Sequence, residues 1–245
     1  MAHETKLGMN RTGMDMSPVD RGEMLQGSER SMPTTEGDEG ALAALRAEYI
    51  READPVGSVP PPGTVKGMLK SGMQMLTGNR PQVLIDKLGE RLAFERTGTR
   101  LYEALITKCL AGIEGSQLVQ LDRLEQIHDE EARHFELVRE TIEALGADPT
   151  AMTPCADVTG VASLGLVQVL HDPRTTLAQC LDAILIAELA DNAGWEMLIA
   201  LARETGNDAV ADSFEEPLTH EAQHLVEVRL WLAQLSSAEA KLVKT

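Results

Sequence analysis

Residues 85–109, IDKLGERLAFERTGTRLYEALITKC, carry a row of side chains at alternating steps of three and four: Ile85, Leu88, Leu92, Glu95, Thr99, Tyr102, Ile106 and Cys109. A row with that spacing is one face of a helix, and Pro81 suits the first turn of a helix running to about residue 112. The odd member is Glu95, which stands where a helix packed on other helices should place Leu or Ile. Three further rows follow the same rule. One reads Leu124, His128, Glu131, Phe135, Val138, Ile142 and Leu145 and stops at Gly146. Another, in a helix expected over about 174–205, reads Leu181, Leu185, Glu188, Asn192, Trp195 and Ile199. After TGND (205–208), the last reads Phe214, Leu218, Glu221, Leu225, Val228, Leu232 and Leu235. Each row has one glutamate in its apolar seam.

Connection lengths choose the topology. The first and second helices, and the third and fourth, are joined by only a few residues, so each pair is expected to be an antiparallel hairpin. Between the hairpins lie 28 residues, ADPTAMTPCADVTGVASLGLVQVLHDPR, enough to travel the length of a bundle with a short helix around 162–171. The predicted fold is therefore all-α, two antiparallel helical hairpins joined by a long crossover.

The hairpins also repeat one another. Glu95, six residues and Tyr102-Glu103-Ala104-Leu105-Ile106 match Glu188, six residues and Trp195-Glu196-Met197-Leu198-Ile199. Glu131-Ala-Arg-His134 matches Glu221-Ala-Gln-His224, and in both copies a Val-Arg pair follows after three residues. An unpartnered carboxylate in an apolar seam costs several kcal/mol or takes up a proton. Four converging carboxylates repel one another, and a polyvalent cation resolves the conflict. In each ExxH step, residues i and i+3 share a helix face and can reach one ion. One seam Glu or one ExxH is commonplace in a helix; two of each, at matched positions on repeated hairpins, point to a site for two metal ions.

Glu…ExxH…Glu…ExxH resembles the di-iron-carboxylate members of the ferritin-like superfamily, such as rubrerythrin and bacterioferritin, over residues 81–236. The resemblance implies a ferritin-like four-helix bundle over residues 81–240, preceded by an N-terminal extension, residues 1–80. It implies that Glu95, Glu131, His134, Glu188, Glu221 and His224 are the metal ligands and the catalytic set, with one His on each ion and Glu131 and Glu221 bridging. The implied cofactor is two Fe ions, with two Mn ions or a mixed Mn/Fe pair as alternatives. The implied partners are O2 or H2O2 and an electron donor, in ferroxidase or peroxidase chemistry. Dimanganese catalase, a di-iron hydroxylase of an organic or tRNA substrate, and a non-catalytic iron-binding or storage module are the other readings. No C-terminal iron–sulfur module like that of rubrerythrin is expected, and the second ExxH and the long extension differ from ordinary ferritins.

Around these six, His128 lies on the seam one turn before Glu131 and is expected to support the site as a proton relay or hydrogen-bond partner rather than as a ligand. Tyr102 and Trp195 lie two turns beyond Glu95 and Glu188, as packing residues that could also pass electrons. Asp191, three residues after Glu188, could orient a ligand imidazole. Pro217 should kink the fourth helix one turn before Glu221, and His220 and His171 read as exposed.

Composition bounds the rest. Hydrophobic residues make up 43% of the 245 and aromatics 3%, so the core must be built from Leu, Ile, Val, Ala and Met. A net charge of −17 argues against binding nucleic acid. No stretch approaches a membrane span, and the N-terminus lacks the apolar stretch of a signal peptide, so a cytoplasmic protein is expected, as a homo-oligomer. Cys109, Cys155 and Cys180 show no CxxC pairing and are expected as thiols. Residues 1–40 are expected as an extended or disordered arm and about 36–53 as a short helix capped by Thr35. PVGSVPPPG (55–63) is a break, and 64–76 is a second short helix.

Overall fold

The computed structural model describes residues 13–31, 39–63 and 81–242, and among them the secondary structure is entirely helical. The chain divides into two compact units, residues 4–55 and a unit that includes 56–245. The first holds a 3-10 turn, Met14–Met16, and helices α1 (Pro18–Arg30) and α2 (Glu39–Glu52). Neither helix has a buried residue. The helix α2 follows the expectation for 36–53, whereas α1 corrects the expectation of an extended arm. Its local signals are Pro18 at the first turn, Asp20 near the N-terminus and Arg30 in the last turn, which complement the helix dipole. The helix expected over 64–76 and the cap at Thr35 lie outside the described residues.

The second unit is built from α3 (Pro81–Leu110), α4 (Leu121–Ala144), α5 (Pro154–His171), α6 (Leu177–Glu204), α7 (Asp208–Ser213) and α8 (Glu215–Leu242). The helix α6 starts on a capping box, in which Thr176 accepts from the Gln179 amide and Gln179 returns the bond. Gly146 and Gly206 end α4 and α6 with φ of 88° and 73°, a left-handed turn in which a side chain would be strained.

Two apolar cores show how the helices run. One joins Leu101 and Leu105 late in α3 to Leu124 and Ile127 early in α4, to Cys180, Leu181 and Ile184 early in α6, and to Val228, Trp231 and Leu235 late in α8. The other joins Leu84, Leu88 and Leu92 early in α3 to Val138 and Ile142 late in α4, to Trp195, Leu198 and Ala202 late in α6, and to Phe214 just before α8. Pairs α3/α4, α6/α8 and α3/α6 are therefore antiparallel, and the residues between the two cores are those around Glu95, Glu131, Glu188 and Glu221.

Two segments differ from expectation. The crossover contains an 18-residue helix rather than a short one, because Thr153 caps it and Pro154 fills its first turn. The helix expected from 208 onward is two helices broken at Phe214, which is fully buried. Pro217 does not kink a helix interior: the chain restarts at Glu215, and the proline falls in the first turn, where its missing N–H is not needed.

The crossover helix seats on α3 at Gly89. A Cβ there would lie 2.5 Å from Thr153 Oγ1 and 3.0 Å from its Cγ2. Ala is favoured over Gly inside a helix by about 1 kcal/mol, yet Gly89→Ala should lower stability by about 1–3 kcal/mol because two helices must part. Denaturant unfolding measures it, and replacing Thr153 by Ala in the same chain should recover part of the loss.

Candidate metal centre

The six predicted ligands come together from four helices and are all buried: Glu95 from α3, Glu131 and His134 from α4, Glu188 from α6, Glu221 and His224 from α8. Glu221 is placed between the two imidazoles. Its Oε1 lies 2.8 Å from His134 Nδ1 and its Oε2 lies 3.3 Å from His224 Nδ1. Glu131 and Glu188 also face His224 Nδ1, at 3.5 and 3.9 Å, and Glu95 faces His134 Nδ1 at 3.7 Å. Ligand atoms able to surround one ion are offered by Glu131, Glu188, Glu221 and His224, and a second set by Glu95, His134 and Glu221. Glu221 belongs to both. A third grouping, Glu95, Glu131, Asp191 and Glu221, overlaps them.

Among the described residues, ten buried side-chain polar atoms have no hydrogen-bond partner, and eight belong to these six residues: both oxygens of Glu95 and Glu221, one each of Glu131 and Glu188, and Nδ1 of both histidines. Buried polar atoms are otherwise almost always paired. Within each grouping the ligand atoms lie within 4.8 Å of one another, while Glu95 Oε1 also stands 3.0 Å from Arg91 Nε; carboxylate oxygens and imidazole nitrogens are donors suited to a hard or borderline cation. The cluster could therefore hold a metal ion.

Surrounding groups hold the ligands by their other atoms. His224 Nε2 bonds Glu130 Oε2 at 2.7 Å, and with the proton held there a cation would find the Nδ1 lone pair free. His134 Nε2 meets His220 Nδ1 at 3.2 Å, and the two rings stack at 5.4 Å. Glu130 and His220 hold the same place in the repeat, the residue just before the ExxH glutamate. Each reaches the histidine of the other copy. Tyr102 donates its hydroxyl to Glu188, and Trp195 packs edge-on to His134 at 5.8 Å. Asn192 donates to the carbonyls of Glu188 and Glu221 at 2.9 and 3.1 Å, tying α6 to α8 at the level of the site.

Three placements differ from the sequence reading. His128 does not join the site: its side chain is 31% exposed and contacts Asp129, because Ile127 takes the inward position on that turn. Asp191 does not orient an imidazole; its Oδ1 accepts from Arg91 Nη1 at 2.7 Å. His220 is only partly exposed and touches a predicted ligand.

Arg91 and Glu130 were missed as well. Arg91 is buried, with Nε 3.0 Å from Glu95 Oε1. The sequence signal was present, since Arg91 lies one turn before Glu95. Glu130 offered a weaker one, its equivalence to His220. Gly98 also has a task, because a Cβ there would collide with Glu131 Oε2.

No family model, curated protein or solved structure matches the chain.

Without a cation the cluster holds protons. Burial raises the Glu131 and Glu188 carboxyls well above the ordinary range, and neighbouring acids, Glu221 first, add to it. Burial opposes charge on His134, but Glu221 and Glu95 outweigh it and lift the imidazole to about 9. Burial likewise works against ionised Glu221, but the two histidines bring it down to about 2. For Glu131, Glu188 and His134 the folded chain binds protons more tightly than the unfolded chain, so their contribution to stability is lost as pH rises. For His134 that contribution is complete below about 6.5 and gone above about 9, a change of about 3 kcal/mol. Metal-free protein should therefore lose thermal stability between those pH values. Metal displaces the same protons, so the gap between loaded and metal-free protein should widen over that range. Scanning calorimetry of both forms at several pH values checks it, and a metal-free protein whose stability rises with pH contradicts the assignment.

Proposed function

We propose that residues 81–240 are a ferritin-like four-helix bundle of the di-iron-carboxylate kind, which binds two iron ions and reacts with O2 or H2O2. The observation that carries the reading is the set of eight orphaned donor atoms on six residues drawn from two copies of one hairpin. The helix order supports it: α3 and α4 form one antiparallel hairpin, α6 and α8 the other, with the crossover through α5. Charge supports it too. Glu95, Glu131, Glu188, Glu221 and Asp191 offer five negative charges and Arg91 one positive. The remaining four negative charges match two divalent ions.

Glu131, Glu188, Glu221 and His224 would hold one ion; Glu95, His134 and Glu221 would hold the other. Two ferrous ions there would supply the electrons to reduce O2 or H2O2, and an external donor would restore them. The protein's own part is orientation and proton handling. Glu130 keeps the His224 proton on Nε2. Tyr102 holds Glu188 by one oxygen and leaves the other free. His134 and His220 form a two-imidazole path outward, the far nitrogen of His220 lying 4.0 Å from exposed Glu216. Apolar residues above and below exclude water. The same donor set accepts manganese, so metal analysis after expression in iron and in manganese decides the resident ion.

The two subsites are unequal. Three carboxylates, Glu131, Glu188 and Glu221, face His224, with Glu130 behind it already paired to Arg123 at 3.1 Å; only Glu95 and Glu221 face His134, and Arg91 draws charge from Glu95. The His224 subsite should load first. Anaerobic Fe(II) or Co(II) titration should show two ions per chain in two steps; His224→Ala should remove the tighter step and His134→Ala the weaker. Glu221→Ala should leave less than one ion per chain, and Glu130→Gln should weaken the first step about 10–100-fold. Admitting O2 to the Fe(II) form should produce near-ultraviolet ferric absorption. Wild-type protein that binds fewer than one ion per chain would refute the proposal.

A further inference from the structure

A cleft of about 460 Å³ opens between α3, α5 and α6, on the outer side of Arg91. Its α6 wall is apolar, formed by Ala190, Met197, Leu198 and Leu201, and Phe94 stands on the α3 side. The α5 wall adds Ala162 and two hydroxyl residues, Thr159 and Ser163. At the inner wall lies the Arg91 guanidinium, 4.6 Å over the Phe94 ring. Gly194 keeps this wall low: a Cβ there would lie 2.6 Å from Arg91 Nη1.

We infer that this cleft binds a neutral, largely apolar organic molecule of two or three fused or linked rings carrying a hydroxyl group. Size is the first argument. A cavity of about 150 Å³ lined by aliphatic and aromatic side chains takes up benzene, and this one is roughly three times larger. Charge is the second. The three charged groups at the cleft are already matched, Arg91 by Glu95 and Asp191, and Lys87 and Glu90 by each other at 2.5 Å. An anion therefore meets no free cation, and a cation no free carboxylate. Polarity is the third. The buried Ser163 hydroxyl gives its proton to the Thr159 carbonyl at 2.8 Å, so its oxygen is left as an acceptor for a ligand O–H. Met197, flexible and 64% exposed, adapts one wall to ring shape. The occupant lies against the residue that ion-pairs with Glu95, which places it beside the metal centre without needing the metal to bind.

The test uses the full-length protein, metal-free and metal-loaded, with 2-naphthol as a fluorescent probe and 2-naphthoate as its anionic counterpart. One saturable 2-naphthol site per chain is expected, with naphthoate at least about tenfold weaker, a difference of about 1.4 kcal/mol. Ala162→Phe and Ala190→Phe fill the cleft from opposite walls and touch no proposed ligand. Each should weaken 2-naphthol about tenfold or more, with helical content and metal stoichiometry unchanged. The inference falls if 2-naphthol shows no saturable site, if naphthoate binds as tightly, or if both filled variants bind the probe like wild type. It falls also if light scattering shows that filling the cleft splits an oligomer, since the cleft would then be a contact between copies. None of these outcomes depends on how many metal ions the chain binds, so failure here is distinguishable from failure of the metal reading.

Discussion

Five carboxylates and two imidazoles occupy one water-poor space between two apolar cores, and their mutual repulsion is the constraint around which the rest is arranged. Burial alone makes each charge costly, and bringing several of one sign together multiplies the cost. The chain has three answers to it. Arg91 is a built-in cation for Glu95 and Asp191, the histidines supply polar contacts, and protons occupy Glu131 and Glu188 while no cation is present. What these leave over is a set of lone pairs pointed at one another. Such a set could hold a metal ion.

The internal repeat explains both the order and the inequality of this arrangement. Copying a hairpin gives two seam glutamates and two ExxH steps at matched heights, so each ligand has a twin. The copies then diverge where they touch the ligands from behind. Tyr102 is matched by Trp195: one holds a glutamate through its hydroxyl, while the other packs on a histidine and has its buried N–H unpaired. Glu130 is matched by His220, and Gly98 by Asp191. Each exchange changes charge or hydrogen-bonding beside a ligand while leaving the ligand itself alone, so a twofold framework carries two chemically different halves.

Packing on the far side of α3 and α6 serves the same centre. The crossover helix α5 rests on α3 through a glycine, with Thr153 both capping α5 and filling the space that a Gly89 side chain would need. Arg91 and Gly194 meet by the same rule, a small residue giving room to a large one. These close approaches fix the helices at the height where the glutamates converge, and they leave the cleft beside Arg91 as the space α5 does not fill.

Much was legible in the sequence because it rests on periodicity. The 3.6-residue repeat gave the long helices, the short connections gave the hairpins, and a glutamate in each apolar row marked the six residues that converge. Local signals also placed the stop at Gly146 and the turn at 205–208. What the sequence could not decide is which side chains reach across from another helix. Ile127 rather than His128 faces inward because the neighbouring helices set the rotation of α4 within an ambiguous three-or-four step. Arg91 pairs with Asp191, a hundred positions away, and Glu130 with His224, through contacts that exist only once α3, α4, α6 and α8 are packed. The break at Phe214 belongs to the same class, since Pro217 permits a kink or a restart, and burial of the Phe214 ring against Trp195 accompanies the restart. Spacing along one chain therefore named the six residues that converge, while the groups that contact them from behind were chosen by tertiary contact, because hydrogen bonds and ion pairs between distant segments leave no periodic trace.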